Sequence, residues 1–468
     1  MNLNAFRINS YYIEDLNADF LGTYAFKGNN RNFLLSDLGY SVLLDDVLLD
    51  SIKNKQINEE LAIILIQHRF IKLLNYDNTV ENISSDQNNN DINPVFFMID
   101  LTNRCNMACK YCLRDGNDTL EPKVISSKKI TQICNYIFHY CNSSNEDKIT
   151  IQPWGGEPLL EKEKIFQIQD IMHKNNINPC ISIETNGLLL TDEVIDELYK
   201  RNIWTSVSID GPEYIHNNQR VFRNGKPTHS IVEKNLCKLR DVYAGKVSVI
   251  ATLTKNSYKY VKEIIKYLVV DLKIENIKVN FVHKSTFVNN DDLCMSSEEI
   301  GRCTEDIFYT LMELSKEGYC AGDYNVYTKL MNLLYNRKTD VCLCNGCHGG
   351  RRMITFDYNG DIYPCDVTDY PEECMGNIKD DIELINMVEK AIHEKKYFVE
   401  KKEKICENCP WQCYCKGGCT VHVKAQGKTP PQVDEIECAV NRVLYPLMID
   451  CILNNKEDIN NFLQMEVL

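Results

Sequence analysis

Apolar positions along this chain change period twice before its midpoint. From Tyr11 to Ile13, and again from Tyr24 to Leu35, they follow a strand pattern, and Gly28-Asn29-Asn30 inside the second stretch predicts a hairpin. Helical spacing then appears at Leu44, Leu48 and Ile52 and at Leu61, Ile64 and Leu65, with Asn58 placed to cap the second run. Residues 1–74 therefore read as a small separate module of winged-helix pattern. From Asn75 to Pro94 the composition turns to Asn, Asp and Ser, too polar to bury a core, which predicts a linker over 75–94.

After Pro94, short apolar strands alternate with longer helical stretches. The expected strands are Val95–Asp100, Lys148–Pro153, Ile181–Glu184, Trp204–Ile209, Val247–Leu253 and Ile277–Val282. A representative helix is Tyr260–Val270, apolar at Val261, Ile264, Ile265 and Leu268. Strand alternating with helix implies parallel βαβ units, and six repeats predict an α/β fold, a partial (β/α)6 TIM-like barrel over 95–320. Such barrels keep their working residues just past the strand C-termini. The unusual clusters lie there: Cys105 to Cys112 after the first strand, Trp154-Gly155-Gly156-Glu157-Pro158 after the second, Thr185-Asn186-Gly187 after the third, and Ser208-Ile209-Asp210-Gly211-Pro212 after the fourth.

Cysteine usage decides the chemistry. The chain has 468 residues and 22 cysteines, well above ordinary usage but below the density of a small disulfide scaffold. No signal-peptide order and no apolar run of membrane-spanning length is seen, so a reducing cytoplasm is expected, where clustered cysteines are metal ligands. Cys134, Cys141, Cys180, Cys237 and Cys451 stand apart and read as packing residues. Cys105, Cys109 and Cys112 instead converge at gaps of three and two residues, which suits a cubane iron–sulfur cluster one protein ligand short. A zinc site would call for four protein ligands, or three and water. The net charge of −14, from 66 acidic and 52 basic residues, argues against a nucleic-acid partner.

A second cysteine field lies in residues 321–468. Cys347 is followed by twelve residues, Gly360, four residues and Cys365. Cys406, Cys409, Cys415, Cys419 and Cys438 follow, separated by two, five, three and eighteen residues. Two zinc ribbons would explain Cys406 and Cys409 but not Gly360 or the coupling to a barrel with its own triplet.

Taken together, these motifs resemble the radical S-adenosylmethionine (SAM) enzymes, with a C-terminal cysteine-rich SPASM domain over 321–468. The resemblance implies three [4Fe-4S] clusters. Cys105, Cys109 and Cys112 would hold the SAM-binding one, with Tyr111 bordering the adenine. Gly155 and Gly156 would let backbone approach the SAM amino group, Glu157 would complement its charge, and Ser208 and Arg220 match SAM contacts, Arg220 suiting the carboxylate. One auxiliary cluster would take Cys347, Cys365, Cys419 and either Cys342 or Cys344; the other would take Cys406, Cys409, Cys415 and Cys438. Cys413 is an extra thiol without an expected role. Asp366 matches an aspartate proposed to take a substrate proton in sulfatase-maturing relatives, and a turn aspartate is the plainer reading.

The implied reaction is hydrogen abstraction by a 5′-deoxyadenosyl radical, installing a thioether, carbon–carbon or ether cross-link in a peptide. The N-terminal module resembles the peptide-recognition module of maturases of ribosomally made peptides, including those of His-Xaa-Ser systems, where a leader docks as an added strand. A precursor peptide and a reduced flavodoxin- or ferredoxin-type donor are the implied partners. A formylglycine-generating sulfatase maturase is the alternative within the family. From another class, a non-catalytic iron–sulfur electron carrier or DNA-binding sensor is disfavoured by the glycine-rich clusters at the barrel mouth.

Overall fold

The computed structural model describes residues 5–74, 92–114, 121–284, 290–337, 340, 342–343, 346–366, 371–380, 382–394, 406–427 and 433–466. Most of the expected linker, 75–91, and the candidate ligand Cys344 lie outside these residues.

The N-terminal segment runs β1 (Ala5–Ile8), β2 (Tyr11–Ile13), β3 (Ala18–Phe20), β4 (Thr23–Lys27), β5 (Asn32–Ser36), β6 (Ser41–Leu44), α1 (Asp46–Lys53), α2 (Glu59–Gln67) and β7 (Ile71–Leu73). The hairpin forms where Gly28-Asn29-Asn30 predicts it, Gly28 N–H closing on the Arg31 carbonyl at 3.0 Å between β4 and β5. Asn58 caps α2 by accepting Leu61 N–H at 2.9 Å. The setting is richer in strands than a winged helix. Seven strands form two antiparallel sheets, β1-β4-β5-β6 and β2-β3-β7. Among the described residues of 1–74 no third α-helix follows α2. Arg69 turns left-handed at φ +56° and Ile71–Leu73 return as β7 against β3.

Alternation within β4 and β5 gives the module two apolar faces. Ala25 and Leu34 join its own core with Leu49, Ile52, Leu61 and Leu65. Phe26, Phe33 and Leu35 belong to the main core of the molecule.

The barrel follows as β8 (Phe96–Thr102), α3 (Ser127–Ser144), β9 (Thr150–Gly155), α4 (Lys162–Lys174), β10 (Cys180–Thr185), α5 (Asp192–Lys200), β11 (Trp204–Ser208), α6 (Glu213–Gln219), α7 (His229–Tyr243), β12 (Val247–Leu253), α8 (Val261–Lys266), β13 (Asn276–Phe281) and α9 (Ser297–Lys316). All six expected strands form, parallel and adjacent in chain order from β8 to β13. The helix expected over 260–270 is shorter, because α8 gives way to a π-helical turn at Tyr267–Asp271, though Val261, Ile264, Ile265 and Leu268 are all buried.

The remaining elements are β14 (Gly322–Asp323), α10 (Tyr324–Tyr335), β15 (Met353–Phe356), β16 (Asp361–Tyr363), β17 (Gly376–Asn377), α11 (Leu384–His393), α12 (Gln412–Cys415), α13 (Thr420–Ala425), α14 (Glu435–Asn454) and α15 (Lys456–Leu463). β14 extends the sheet beyond β13, and β15 adds parallel to β8 and leads into antiparallel β16 and β17, making ten strands. The cysteine-rich region is thus hydrogen-bonded onto the barrel edge that begins the cysteine loop. No helix among the described residues is long and apolar enough to cross a membrane.

Small polar residues keep the lumen open where barrels are commonly filled by branched apolar side chains. Glu184, Ser206 and Ser248 stand side by side on β10, β11 and β12, and the two serine hydroxyls meet at 2.6 Å. A cavity of about 1030 Å³ runs through this layer.

Candidate active site

The loop after β8 is held from two sides. The glycines of β9 let it come close: Gly156 N–H bonds the Thr102 carbonyl at 2.7 Å and Glu157 N–H the Arg104 carbonyl at 2.9 Å. A Cβ on Gly155, whose φ is +139°, would lie 2.1 Å from the Thr102 oxygen, and one on Gly156 would lie 2.3 Å from the Arg104 oxygen. On the far side, Ala108 and Lys110 bond the carbonyls of Val221 and Gln219, both at 2.9 Å. This pinned loop presents Cys105, Cys109 and Cys112, all half-buried, to a cavity of about 670 Å³.

Glu157 does more structural work than the motif suggests. It is 1% exposed, and its Oε1 accepts Leu159 N–H (3.0 Å) and the Thr185 hydroxyl (2.8 Å), while Oε2 accepts Asn186 N–H (2.7 Å). One acceptor position on Oε2 remains for a donor in the cavity. Asn186 continues the clamp, bonding Asn106 at 2.6 Å and Cys105 Sγ at 3.7 Å.

Tyr111 lines the cavity, but its hydroxyl is committed. It donates to Asp210 (2.9 Å to Oδ2) and accepts from Arg220 (2.7 Å). Asp210 also takes Gln219 Nε2 at 3.1 Å and Thr252 N–H at 3.1 Å. Burial raises the Asp210 pKa, and Arg220 and these donors oppose the rise. Asp210 and Asn186 lie inside flagged motifs, yet nothing in their spacing distinguished them from turn residues.

The residues present fit an iron–sulfur cluster and SAM. Three thiols share one cavity wall, with Gly155, Gly156, Ser208 and Arg220 lining the same space. Trp154 Nε1 and Arg220 Nε are buried there without a hydrogen-bond partner among the described residues, donors that a polar ligand would satisfy. Burial pushes Cys109 up to about 12 against the pull of Arg220, so iron binding would expel a proton from this thiol.

Thiols of the second cysteine field lie near one another in two sets, Cys342 with Cys347 and Cys419, and Cys406 with Cys409 and Cys438. Burial raises Cys342 well above the usual thiol range, with Asp340, Cys419 and Cys347 adding to it. Cys347 and Cys365 pack on Tyr363, and Cys374, which the sequence left unassigned, joins them. In the other neighbourhood, burial raises both Cys409 and Cys438, and Cys406 lies close enough to add to each. Burial pushes Cys415 up to about 12, with Glu437 adding and Lys329 opposing. Cys413 packs beside Gly39 of the N-terminal module, and its Sγ lies 3.5 Å from the Pro410 carbonyl.

Asp366 forms an ion pair with Arg114, whose other nitrogen reaches buried Asp100 at 3.2 Å. Arg114, two residues past Cys112, therefore ties the cysteine loop to the loop of Cys365. His283 and His422, absent from every motif, also face the cavity. The lumen cavity continues from this one, sharing Arg114, Glu184, Asp366 and both histidines, and it reaches Cys342, Cys365 and Cys419.

This geometry defines an enzyme that builds its site at a barrel mouth around paired thiol fields. Residues 99–268 match the radical SAM superfamily, and residues 347–414 match SPASM, an iron–sulfur cluster-binding domain. The chain is 27% identical over 343 residues to the serine-type anaerobic sulfatase-maturating enzyme of Bacteroides thetaiotaomicron, covering 67% of this chain and 80% of that enzyme. Its fold is similar to native anSMEcpe with bound AdoMet and Cp18Cys peptide, at TM-score 0.66 and 19% identity over 78% of this chain and 100% of that one. It is also similar to Streptococcus suis SuiB bound to precursor peptide SuiA, at TM-score 0.54 and 16% identity over 87% and 96%. The chain belongs to the radical SAM enzymes that carry a SPASM domain, and SAM and iron–sulfur clusters are its cofactors.

Proposed function

We propose that this enzyme oxidises a ribosomally made precursor peptide, forming a thioether, carbon–carbon or ether cross-link. The observation that carries the reading is the continuity of the two cavities. One wall holds Cys105, Cys109 and Cys112; the other holds Cys342, Cys365 and Cys419, so a peptide lying between meets both. A cluster held by Cys105, Cys109 and Cys112, with SAM beside it, would supply the radical chemistry that removes a hydrogen atom from the peptide.

The protein's own residues bind, orient and exclude water. Gly155, Gly156 and Glu157 would receive the SAM amino group and Arg220 its carboxylate, with Ser208 lining the same space, and Tyr111, itself held by Asp210, fixes the Arg220 guanidinium. We assign three clusters: Cys105/Cys109/Cys112; Cys342/Cys347/Cys365/Cys419; and Cys406/Cys409/Cys415/Cys438. Cys342 is preferred as fourth ligand because it adjoins Cys347 and Cys419. Asp366 orients Arg114 and through it the floor of the cavity.

The N-terminal module, residues 1–74, would dock the peptide leader as an added strand. Among the described residues β1 is paired on one side only, by β4, which leaves an edge for it. The peptide-bound relatives support this substrate class. Sulfatase maturation is the second reading, favoured by Asp366 in the cavity and by the sulfatase-maturating relatives. A reduced flavodoxin- or ferredoxin-type donor in the cytoplasm would supply the electron.

Co-expression with a precursor peptide encoded beside this chain, read by mass spectrometry, tests the proposal. A loss of two hydrogens per site is expected; an unmodified peptide would overturn it. Anaerobically reconstituted protein should hold about twelve irons per chain, and about four would remove the auxiliary clusters.

A further inference from the structure

His283 follows β13 and stands at the junction of the two cavities, a residue that no motif flagged. Its Nδ1 lies 2.8 Å from the Lys284 carbonyl. A carbonyl only accepts, so Nδ1 carries the hydrogen and Nε2 keeps its lone pair. The ring plane is set by His422, whose centroid is 4.2 Å away at 39°, and His422 is itself held by Asp434 at 2.8 Å from its Nδ1. Asn290 steadies the His283 backbone, donating to its carbonyl at 2.9 Å.

We propose that His283 Nε2 is the proton acceptor for the substrate group that forms the new bond. The inference rests on the peptide-oxidation reading. In that reaction a carbon–hydrogen bond breaks when a hydrogen atom leaves to the 5′-deoxyadenosyl radical. The carbon radical then joins a thiol, hydroxyl or aromatic X–H. Forming C–X and breaking X–H releases one proton and one electron. The proton goes to His283 Nε2 and the electron to an iron–sulfur cluster of the SPASM domain.

Asp366 faces the same space, but its carboxylate is engaged by Arg114. His283 is held unprotonated, which leaves its Nε2 lone pair available. Burial pushes its pKa down to about 4, His422 adding to the effect and the Lys284 carbonyl and Asp434 opposing it. The charged groups around it are His422 and Asp434 from the C-terminal segment and, on its own loop, Lys284, paired with Asp291 at 3.2 Å.

The test has two arms. Diethyl pyrocarbonate acylates unprotonated imidazole nitrogen, and peptide mapping of the reconstituted wild-type enzyme locates the adduct. His283 should be acylated at rates within about twofold at pH 5.5 and 7.5, whereas an imidazole of ordinary pKa slows about tenfold over that interval. No adduct at either pH overturns the proposal. In the second arm, His283→Gln should still form 5′-deoxyadenosine while cross-linked peptide falls about a hundredfold, the size of a lost general base. Cross-linking within threefold of wild type overturns the proposal and leaves the peptide reading standing. If wild type modifies no peptide, that reading fails, and the acylation arm still decides whether His283 is a neutral, accessible acceptor.

Discussion

At the scale of single residues, the SAM-side wall depends on a buried hydrogen-bond chain with fixed direction. Asp210 N–H donates to His216 Nδ1 at 3.3 Å, so the hydrogen of this ring sits on Nε2. Nε2–H then donates to the Thr228 hydroxyl at 3.0 Å, and Thr228 donates to the Arg220 carbonyl at 2.7 Å. His216 thereby positions both neighbours of Tyr111. Burial, with Arg220 and His229 adding, pushes His216 down to about 2. The unfolded chain takes up this proton near pH 6.5 and the folded one does not, so stability is full above that pH and is lost as pH falls below it. The expected slope from this one group is about 1.4 kcal/mol per pH unit between pH 6 and 4. Denaturant titrations of wild type and His216→Gln should differ by that slope; identical slopes would show that His216 is protonated in the native state.

At the scale of elements, α14 joins the SPASM region to the barrel. It packs along α9 and carries Cys438 in its first turn. Its N-cap, Asp434, is fully buried and accepts Ile436 N–H (3.0 Å), Glu437 N–H (3.3 Å), Cys419 N–H (3.2 Å) and His422 Nδ1 (2.8 Å). Burial alone would raise its pKa, yet His422 and these donors hold it below the usual carboxylate range. One side chain thus fixes a helix start, a ligand loop and the histidine behind His283. Asp434→Ala should cost about 3 kcal/mol, more than the roughly 1 kcal/mol of an ordinary cap, because buried donors are stranded. Asp434→Asn should retain part of this. Thermal denaturation of the apoproteins checks the order, and equal midpoints for Ala and Asn would reduce Asp434 to space filling.

At the scale of the whole molecule, the N-terminal module is built into the second auxiliary neighbourhood. Phe26 stacks on Trp411 at 5.6 Å, Trp411 on Tyr445 at 5.1 Å and Tyr445 on Tyr414 at 5.1 Å, and the Tyr414 hydroxyl donates to the Gly39 carbonyl at 2.9 Å. Trp411 and Tyr414 lie between Cys409 and Cys415. Removing residues 1–74 would bare this aromatic stack, so the truncated enzyme should lose about four irons with the second auxiliary cluster as well as peptide affinity. Iron analysis of the truncated enzyme checks this; a full complement of iron would show that the module only recognises peptide. Changes confined to the β1 edge of the full-length chain should lower affinity alone.

Six barrel strands and the helix pair with its Asn58 cap were legible in the sequence alone. Those depend on local periodicity and on capping groups that lie close along the chain. It took the tertiary structure to show that Glu157 clamps Asn186, that Tyr111 is shared by Asp210 and Arg220, that Arg114 reaches Asp366, and that His283 meets His422. These pairs are far apart in sequence and come together only when parallel strands bring successive loops to one end of the barrel. Their side chains are ordinary polar residues until burial removes water and makes each partner count.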